Sequence, residues 1–185
     1  MLHSPIRRRP RSGFTWLFVM WVLVAACSVS PAASTLGAPR VYLEAPESTV
    51  RGETIEVLIR VENVANLAGA EIHLSFDPTI LEVIDAKASD SGVQISDGTL
   101  LSPDFTALNQ VDNAAGTIDY AIVQIGRKEV AGEGVLATID FRGKASGEAA
   151  ITFRGIQAAP SGAALADAAG RPITAALESI RIAVK

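Results

Sequence analysis

The sequence predicts an all-β fold, an antiparallel sandwich or jelly roll. Short apolar alternations recur from Val41 to the end of the chain, and clusters of Gly, Pro, Asn and Asp separate them. No segment keeps a helical apolar period over the length that a stable helix needs. The chain contains no cysteine after Cys27, so the core of the predicted sandwich would be buried between two sheets without disulfides.

The alternations place the individual strands. Eight or nine strands without a long helix fit into the 145 residues from Val41 onward. The predicted strands span residues 41–43, 54–64, 70–76, 81–83, 117–125, 135–141, 149–154 and 177–184, with one or two short strands near 93–95 and 99–101. Residues 63–69, the remainder of 85–113 and the alanine-rich stretch 158–169 are predicted as loops.

The stretch 68–87 predicts two strands joined by a sharp corner. Its first half alternates four apolar with three polar residues, which indicates one buried face; the apolar set is Ala70, Ile72, Leu74 and Phe76, and the polar set is Glu71, His73 and Ser75. Pro78 fixes its own φ and lacks an amide donor, and a residue before proline, here Asp77, favours an extended or turn conformation. We therefore predict an architectural role for this corner.

The N-terminal residues have the features of an export signal. Basic residues 7–11 precede an apolar run, 14–26, that is too short for a normal membrane span. The run ends in small residues before Cys27, which predicts a lipoprotein-type signal peptide over 1–26 and lipidation of Cys27. Ordinary cleavage near Ser30 or Ala33, or an uncleaved anchor, are the alternatives, and all three export the chain. Residues 27–39 are predicted as a flexible linker and 40–185 as the folded domain.

The charge distribution bears on the class of partner. Setting aside the four arginines of the export signal, 12 basic residues remain against 20 acidic ones. Nucleic-acid binding normally requires a basic surface, so no nucleic-acid partner is predicted. An acidic exported domain of this kind would meet a membrane only through a lipid anchor.

With the strands in place, the chain resembles bacterial cohesin domains over about 140 residues, in motifs that keep the family's order and spacing. The motifs are Gly52-Glu53 followed by Ile55-Glu56-Val57, Asn63-Val64 followed by Leu67-Ala68-Gly69, Asp77-Pro78 followed by Leu81-Glu82-Val83, the strand Gly134-Val135-Leu136-Ala137-Thr138-Ile139, and Ile151-Thr152-Phe153. The resemblance implies a nine-stranded antiparallel jelly-roll β-sandwich. It also implies a non-catalytic module that binds a dockerin and so recruits another protein, commonly a polysaccharide-degrading enzyme, to a scaffold or cell surface.

The resemblance also implies where a partner binds. Cohesins bind through the outer face of one sheet, which includes the strand before the Asp-Pro corner. The corresponding outward residues are Glu71, His73 and Ser75, and Glu71 matches a position that is often Asp and accepts hydrogen bonds from the dockerin. Gly69 departs from the pattern, since many relatives have a polar side chain there.

The predicted strand 117–125 is apolar on both faces. We predict that Ala121, Val123 and Ile125 face the core, so that the opposite set would form an exposed partner-binding patch beside Glu71, His73 and Arg154; that set is Ile118, Tyr120, Ile122 and Gln124. The alternative is that the loop 89–113 folds over this face.

No cofactor or metal is predicted. His73 is the only histidine after the export signal, and we expect it to be a solvated strand residue. Aspartates recur through the loop region at a spacing that matches no EF-hand, so a turn-forming role is favoured over calcium binding; they are Asp85, Asp90, Asp97, Asp104, Asp112 and Asp119.

Two other function classes receive less support from the sequence. Neither a nucleophile elbow, a zinc-protease motif nor a phosphate-binding loop is present, so no enzymatic activity is predicted. A carbohydrate-binding module of the same sandwich type is the alternative to a protein-binding module. Polysaccharide binding usually requires exposed planar aromatics, but both tryptophans, Trp16 and Trp21, lie within the export signal.

Overall fold

The structure is a computed structural model that describes residues 37–126 and 129–185. Cys27, the predicted signal peptide and most of the predicted linker lie outside these residues. The described part of the chain contains thirteen strands: β1 Arg40–Glu44, β2 Ser48–Thr49, β3 Thr54–Ser75, β4 Leu81–Val83, β5 Ser96–Asp97, β6 Phe105–Asp112, β7 Thr117–Val123, β8 Val130–Gly143, β9 Gly147–Phe153, β10 Ala163–Asp167, β11 Pro172–Ile173, β12 Ala176–Glu178 and β13 Ile180–Val184. Within the same residues there is no helix long and apolar enough to cross a membrane.

Strand β3 runs through both layers of the sandwich. Its first half pairs antiparallel with β1 and β8, and β8 also pairs with β4 and β5. Its second half pairs antiparallel with β7, which pairs in turn with β6, and on its other side with β9 and β10. The predicted sandwich is confirmed and most of its pairs are antiparallel, but β1 pairs with β12 and β2 with β13 in parallel, and the structure has more strands than the nine predicted.

The predicted loop 63–69 is instead a bend inside β3. Asn63 and Asn66 adopt positive φ angles of 56° and 58°, and the pairing with β8 shifts register on both sides of Val64. Asparagine enters this left-handed region more readily than most residues. Two asparagines therefore bend the strand from one layer to the other while its pairing with β8 continues.

The core confirms the predicted alternation before the Asp-Pro corner. Ala70, Ile72, Leu74 and Phe76 are all buried, and the Phe76 ring meets that of Phe141 edge to face with centroids 5.1 Å apart. Together with apolar side chains from both layers they form one cluster. The second half of β3 thus contributes one face to the core.

The corner itself is held by local hydrogen bonds. Asp77 Oδ1 accepts hydrogen bonds from the Thr79 hydroxyl at 2.6 Å and the Thr79 amide at 2.8 Å. These contacts lower the pKa of Asp77. Gly116, at φ 69°, lies against the corner so closely that a Cβ there would come within 2.2 Å of the Phe76 carbonyl oxygen.

The segment 85–113 is more ordered than predicted. Strand β6 pairs along β7, and the missed β5 joins β8; Val93 forms an isolated bridge with Val111, and residues 99–101 are not a strand. The Asn109 side chain donates to the Ile95 carbonyl and accepts from its amide. Through β6, which pairs with β7, and β5, which pairs with β8, the segment 85–113 therefore runs along one side of the sandwich.

The alanine-rich stretch also contains a strand that the sequence analysis missed. Within the predicted loop 158–169, β10 pairs with β3. The turn after β10 is held by Asp167, which accepts hydrogen bonds from the amides of Ala169 and Arg171 and from the Arg171 guanidinium. The Arg171 backbone bond, more than the ion pair, lowers the pKa of Asp167.

The predicted orientation of β7 is wrong. Ile118, Tyr120 and Ile122 lie in the core with exposures of 0%, 0% and 3%, and Gln124 is also buried. The register explains this, because Tyr120 lies opposite the core residue Ile72, and directly opposed residues share a face. Ile125, predicted to be buried, is 62% exposed. The predicted exposed patch does not exist.

The alternative prediction, that the loop 89–113 covers this face of β7, is closer to the structure. Tyr120 donates its hydroxyl hydrogen bond to Asp97 Oδ1 of β5 at 2.8 Å, and Ile95 and Leu101 from the same segment join the core. Burial and then the Asp97 contact raise the pKa of Tyr120. The phenol therefore links β7 to the segment that closes this side.

We expect Tyr120→Phe to lower the free energy of unfolding by about 1 kcal/mol, because a buried hydrogen bond is lost. Urea denaturation measures the change. Tyr42→Phe is the matched control, because the ring of Tyr42 packs under the Arg40 guanidinium at 4.5 Å through its face and not its hydroxyl. An equal loss in both variants would contradict the role assigned to Tyr120.

Candidate partner-binding face

The first half of β3 with β1, β4, β5, β8 and β12 is the first layer, and the second half of β3 with β6, β7, β9 and β10 is the second layer. The outer face is the side of the second layer that points away from the core. The β3–β7 and β6–β7 registers align its residues in rows across three strands. The residues of the outer face are Gly69, Glu71, His73 and Ser75 on β3, Thr117, Asp119, Ala121 and Val123 on β7, Phe105, Leu108, Gln110 and Asp112 on β6, and Ala164 and Ala166 on β10.

A chain of polar side chains crosses the middle of the outer face. His73 Nε2 lies 2.8 Å from Glu71 Oε1, and His73 Nδ1 lies 2.5 Å from Asp119 Oδ1. The Arg154 guanidinium donates to the same Asp119 oxygen at 2.5 Å. A neutral imidazole can donate to only one of these carboxylates, whereas the protonated ring donates to both.

His73 is buried and not solvated, contrary to the sequence-based expectation. Only 1% of it is exposed, although its side chain is on the outer side of the sheet. Its backbone amide donates to the Gly162 carbonyl, and its own carbonyl accepts from the Arg154 amide. Residues far apart in the chain therefore bond to the backbone and the ring of His73, and no local pattern reveals this.

Next to Glu71, small side chains leave a shallow apolar depression of about 260 Å³. Its lining residues are Gly69, Ala70, Glu71, Ala107, Ala121, Ile122, Val123, Ala164 and Ala166. Phe105, opposite Val123 in the register, is 57% exposed. The outer face thus combines an apolar depression with a carboxylate at its edge.

The outward side of the first layer is different in kind. There Arg40 forms salt bridges with Glu62 and Glu178. On neighbouring strands, Arg60 pairs with Glu44 and Arg142 pairs with Glu82. Exposed ion pairs of this type contribute little to stability and leave charge mutually neutralised. The two sides therefore offer a partner different surfaces.

The predicted site residues fall into two groups. Glu71, His73 and Ser75 lie together on the outer face, where the Ser75 hydroxyl is 2.9 Å from that of Thr152. The second group is in the core and comprises Ile118, Tyr120, Ile122 and Gln124. Asp119, Ala121 and Val123 also lie on the outer face although none was a predicted site residue, because only the β3–β7 register reveals their side of the sheet.

Several of the recurring aspartates serve turns or backbone amides, as predicted. Asp85 Oδ1 accepts from the amides of Lys87 and Gln94, and Asp112 Oδ1 accepts from those of Ala114 and Ala115. Among the described residues, no three His, Cys, Asp or Glu side chains are grouped so that they could hold a metal ion.

His73→Ala should lower the free energy of unfolding by about 2 kcal/mol, because the buried ring between the Glu71 and Asp119 carboxylates is lost together with its hydrogen bonds. Urea denaturation at neutral pH measures the loss. Ser75→Ala, on the same strand and face, removes a single neutral hydrogen bond and should cost about 1 kcal/mol or less. Equal losses of unfolding free energy in the two variants would contradict the larger stabilising role assigned to the His73 contacts.

Comparison with known proteins connects this geometry with a family. The Cohesin domain family model matches residues 41–182. The chain is 31% identical over 134 residues to "Cell surface glycoprotein 1" of Acetivibrio thermocellus, covering 65% of this chain, and 31% identical over 93 residues to "Cellulose-binding protein A" of Clostridium cellulovorans, covering 50%. It spans only 6% and 5% of the lengths of these relatives.

Solved structures agree on the fold. A type II cohesin domain from the cellulosome of Acetivibrio cellulolyticus superposes with a TM-score of 0.69 at 18% identity, covering 79% of this chain and 95% of that one. A chain from a type II cohesin-X-dockerin complex of the same organism gives 0.64 at 14%, covering 80% and 99%. The fold is therefore the cohesin jelly-roll sandwich, and this chain belongs to the cohesin family.

Proposed function

We propose that this chain is an exported, non-catalytic docking module that binds a dockerin-bearing protein through the outer face. Family membership supports the class of partner, since one structural neighbour comes from a complex of cohesin with dockerin. The relatives named above carry cell-surface and cellulose-binding descriptions, which favours a role in assemblies that degrade polysaccharide at the cell surface.

The observation that carries the proposal is the contrast between the two outward surfaces. The outer face has an apolar depression beside Glu71, and apolar recesses with polar rims are where partner side chains anchor. The first layer instead presents charges paired within its own sheet, such as Arg60 with Glu44.

Gly69 adapts this surface to its partner. A Cβ placed on Gly69 would meet the Ile122 carbonyl oxygen at 3.5 Å and Val123 Cγ2 at 3.7 Å, which are ordinary contacts. A side chain would therefore fit, and its absence deepens the depression. We infer that the partner inserts an apolar group where many relatives present a polar side chain.

Ala121→Arg should weaken binding of a dockerin-bearing protein at least about tenfold, because a long charged side chain would fill the depression at its centre. Calorimetric titration measures the affinity, and urea denaturation should show a fold of nearly unchanged stability because the new side chain points to solvent.

Ala176→Arg supplies the matched control. It makes the same change at an exposed alanine of β12, which pairs with β1 in the first layer. We expect wild-type affinity from this variant. If Ala121→Arg binds as well as the wild type, or if Ala176→Arg abolishes binding instead, the assignment of the outer face is wrong.

We further propose that Cys27 carries the lipid that holds the domain at the cell envelope. Small residues before a single cysteine support this, and residues 27–39 would provide the tether. Cys27→Ser should move the protein from the membrane fraction to the soluble fraction on detergent phase partitioning. Unchanged partitioning would overturn the anchor and leave the docking function unaffected.

Polysaccharide binding receives less support than protein docking. Of the aromatic side chains in the described residues, Phe76, Tyr120 and Phe141 are buried, and Phe105 is a large exposed one. A single exposed phenylalanine does not make the row of planar rings on which a sugar chain stacks. The surface fits a protein partner better.

A further inference from the structure

A second recess, the edge pocket, adjoins the outer face. It has a volume of about 470 Å³ and lies where the loop 91–94 meets the end of β6 and the start of β7. Its lining includes Gln94, Gln110, Asp112, Asn113, Thr117 and Asp119. Thr117 and Asp119 also belong to the outer face, so the two surfaces are continuous.

Gln94 in this pocket has an unsatisfied oxygen. The residue is 8% exposed, its backbone amide donates to Asp85, and its side-chain Nε2 donates to the Ser91 carbonyl at 2.8 Å. Within residues 37–126 and 129–185, its buried Oε1 has no hydrogen-bond partner. Buried carbonyl oxygens are nearly always paired, so an orphan of this kind indicates a donor from outside the chain.

The pocket's carboxylates also keep acceptor capacity. The hydrogen bonds of Asp112 and Asp119 to described residues all fall on Oδ1, which leaves Oδ2 of each for a guest. The Asn113 amide is already committed, because it both donates to and accepts from the backbone of Val83.

The guest must therefore bring positive charge and N–H donors. The lining contains two carboxylates and no Lys or Arg. Asp119 is already paired with Arg154 outside the lining, so the unpaired negative charge is that of Asp112, and it makes the pocket complementary to a cation. A bare metal ion fits poorly, since the pocket holds no group of three metal-ligating side chains among the described residues and is far larger than one ion. A planar guanidinium offers five N–H donors and matches carboxylate geometry.

We propose that the edge pocket receives an arginine side chain of the docked protein, bound by Gln94 Oε1 and the free oxygens of Asp112 and Asp119. The inference rests on the proposed docking function, because continuity with the outer face brings the rim of the partner to the pocket. The pocket adds a charge requirement to the apolar recognition in the depression beside Glu71, and it selects partners with a basic residue at that edge.

The pocket can be tested without any partner protein. Titration of the ¹⁵N-labelled chain with N-acetyl-L-arginine amide should shift the amide signals of Gln94, Gln110 and Thr117. N-acetyl-L-citrulline amide, which has nearly the same shape without the charge, should leave them in place. No shift with the arginine derivative, or equal shifts with both compounds, would overturn the proposal.

Two variants assign the contacts. Gln94→Met keeps length but removes the acceptor, and should weaken binding of the arginine derivative about tenfold, since a hydrogen bond to a charged group is lost. Asp112→Asn keeps an oxygen for the turn amides and should weaken binding of the arginine derivative about threefold. Asp90→Asn, an exposed acid of the same loop outside the lining, should have no effect. Wild-type binding by both pocket variants would overturn the assignment.

Failure of this proposal is distinguishable from failure of docking. If Ala121→Arg abolishes partner binding while the arginine derivative leaves the pocket signals unmoved, docking stands and the edge pocket is rejected. If the derivative binds but a dockerin-bearing protein does not bind the chain, the cation site stands and the identity of the partner is wrong.

Discussion

The structure depends above all on the antiparallel register between the second half of β3 and β7. That register places Tyr120 opposite Ile72 and Asp119 opposite His73. The residues on the side of Tyr120 and Ile72 therefore enter the core, and those on the side of Asp119 and His73 form the outer face. A slip of a single residue would exchange these two sets. The core, the covering segment held through Asp97 and the polar chain around His73 are all consequences of this pairing.

Much of the fold could be predicted from local pattern. The alternation before the Asp-Pro corner and the motif order lead to the correct sandwich because a strand with one apolar face has one way to be buried. Strand β6 was missed because an edge strand with mostly exposed side chains has no such pattern. Strand β10 was missed because alanine, which makes up most of it, is common in helices and uncommon in strands, and only pairing with β3 gives it an extended conformation.

The site was predictable only on β3. There the polar residues Glu71, His73 and Ser75 alternate with clearly apolar ones, so their face is unambiguous. Strand β7 is apolar on both sides, and only its pairing with β3 decides which side faces the core. The paired residues Asp119 and His73 are 46 positions apart in the chain. The burial of His73 likewise comes from Asp119 and Arg154, which approach it through tertiary structure. Long-range pairing, and not composition, determines the chemistry of this surface.

The most direct test of the central claim is methyl NMR of the chain labelled at alanine, with and without a dockerin-bearing protein. Ala121, Ala164 and Ala166 border the depression, and Ala176 lies in the first layer. If the outer face is the docking surface, the methyl signals of the first three alanines shift or broaden on binding and that of Ala176 does not. Perturbation of Ala176 alone, with the other three unmoved, would contradict the account.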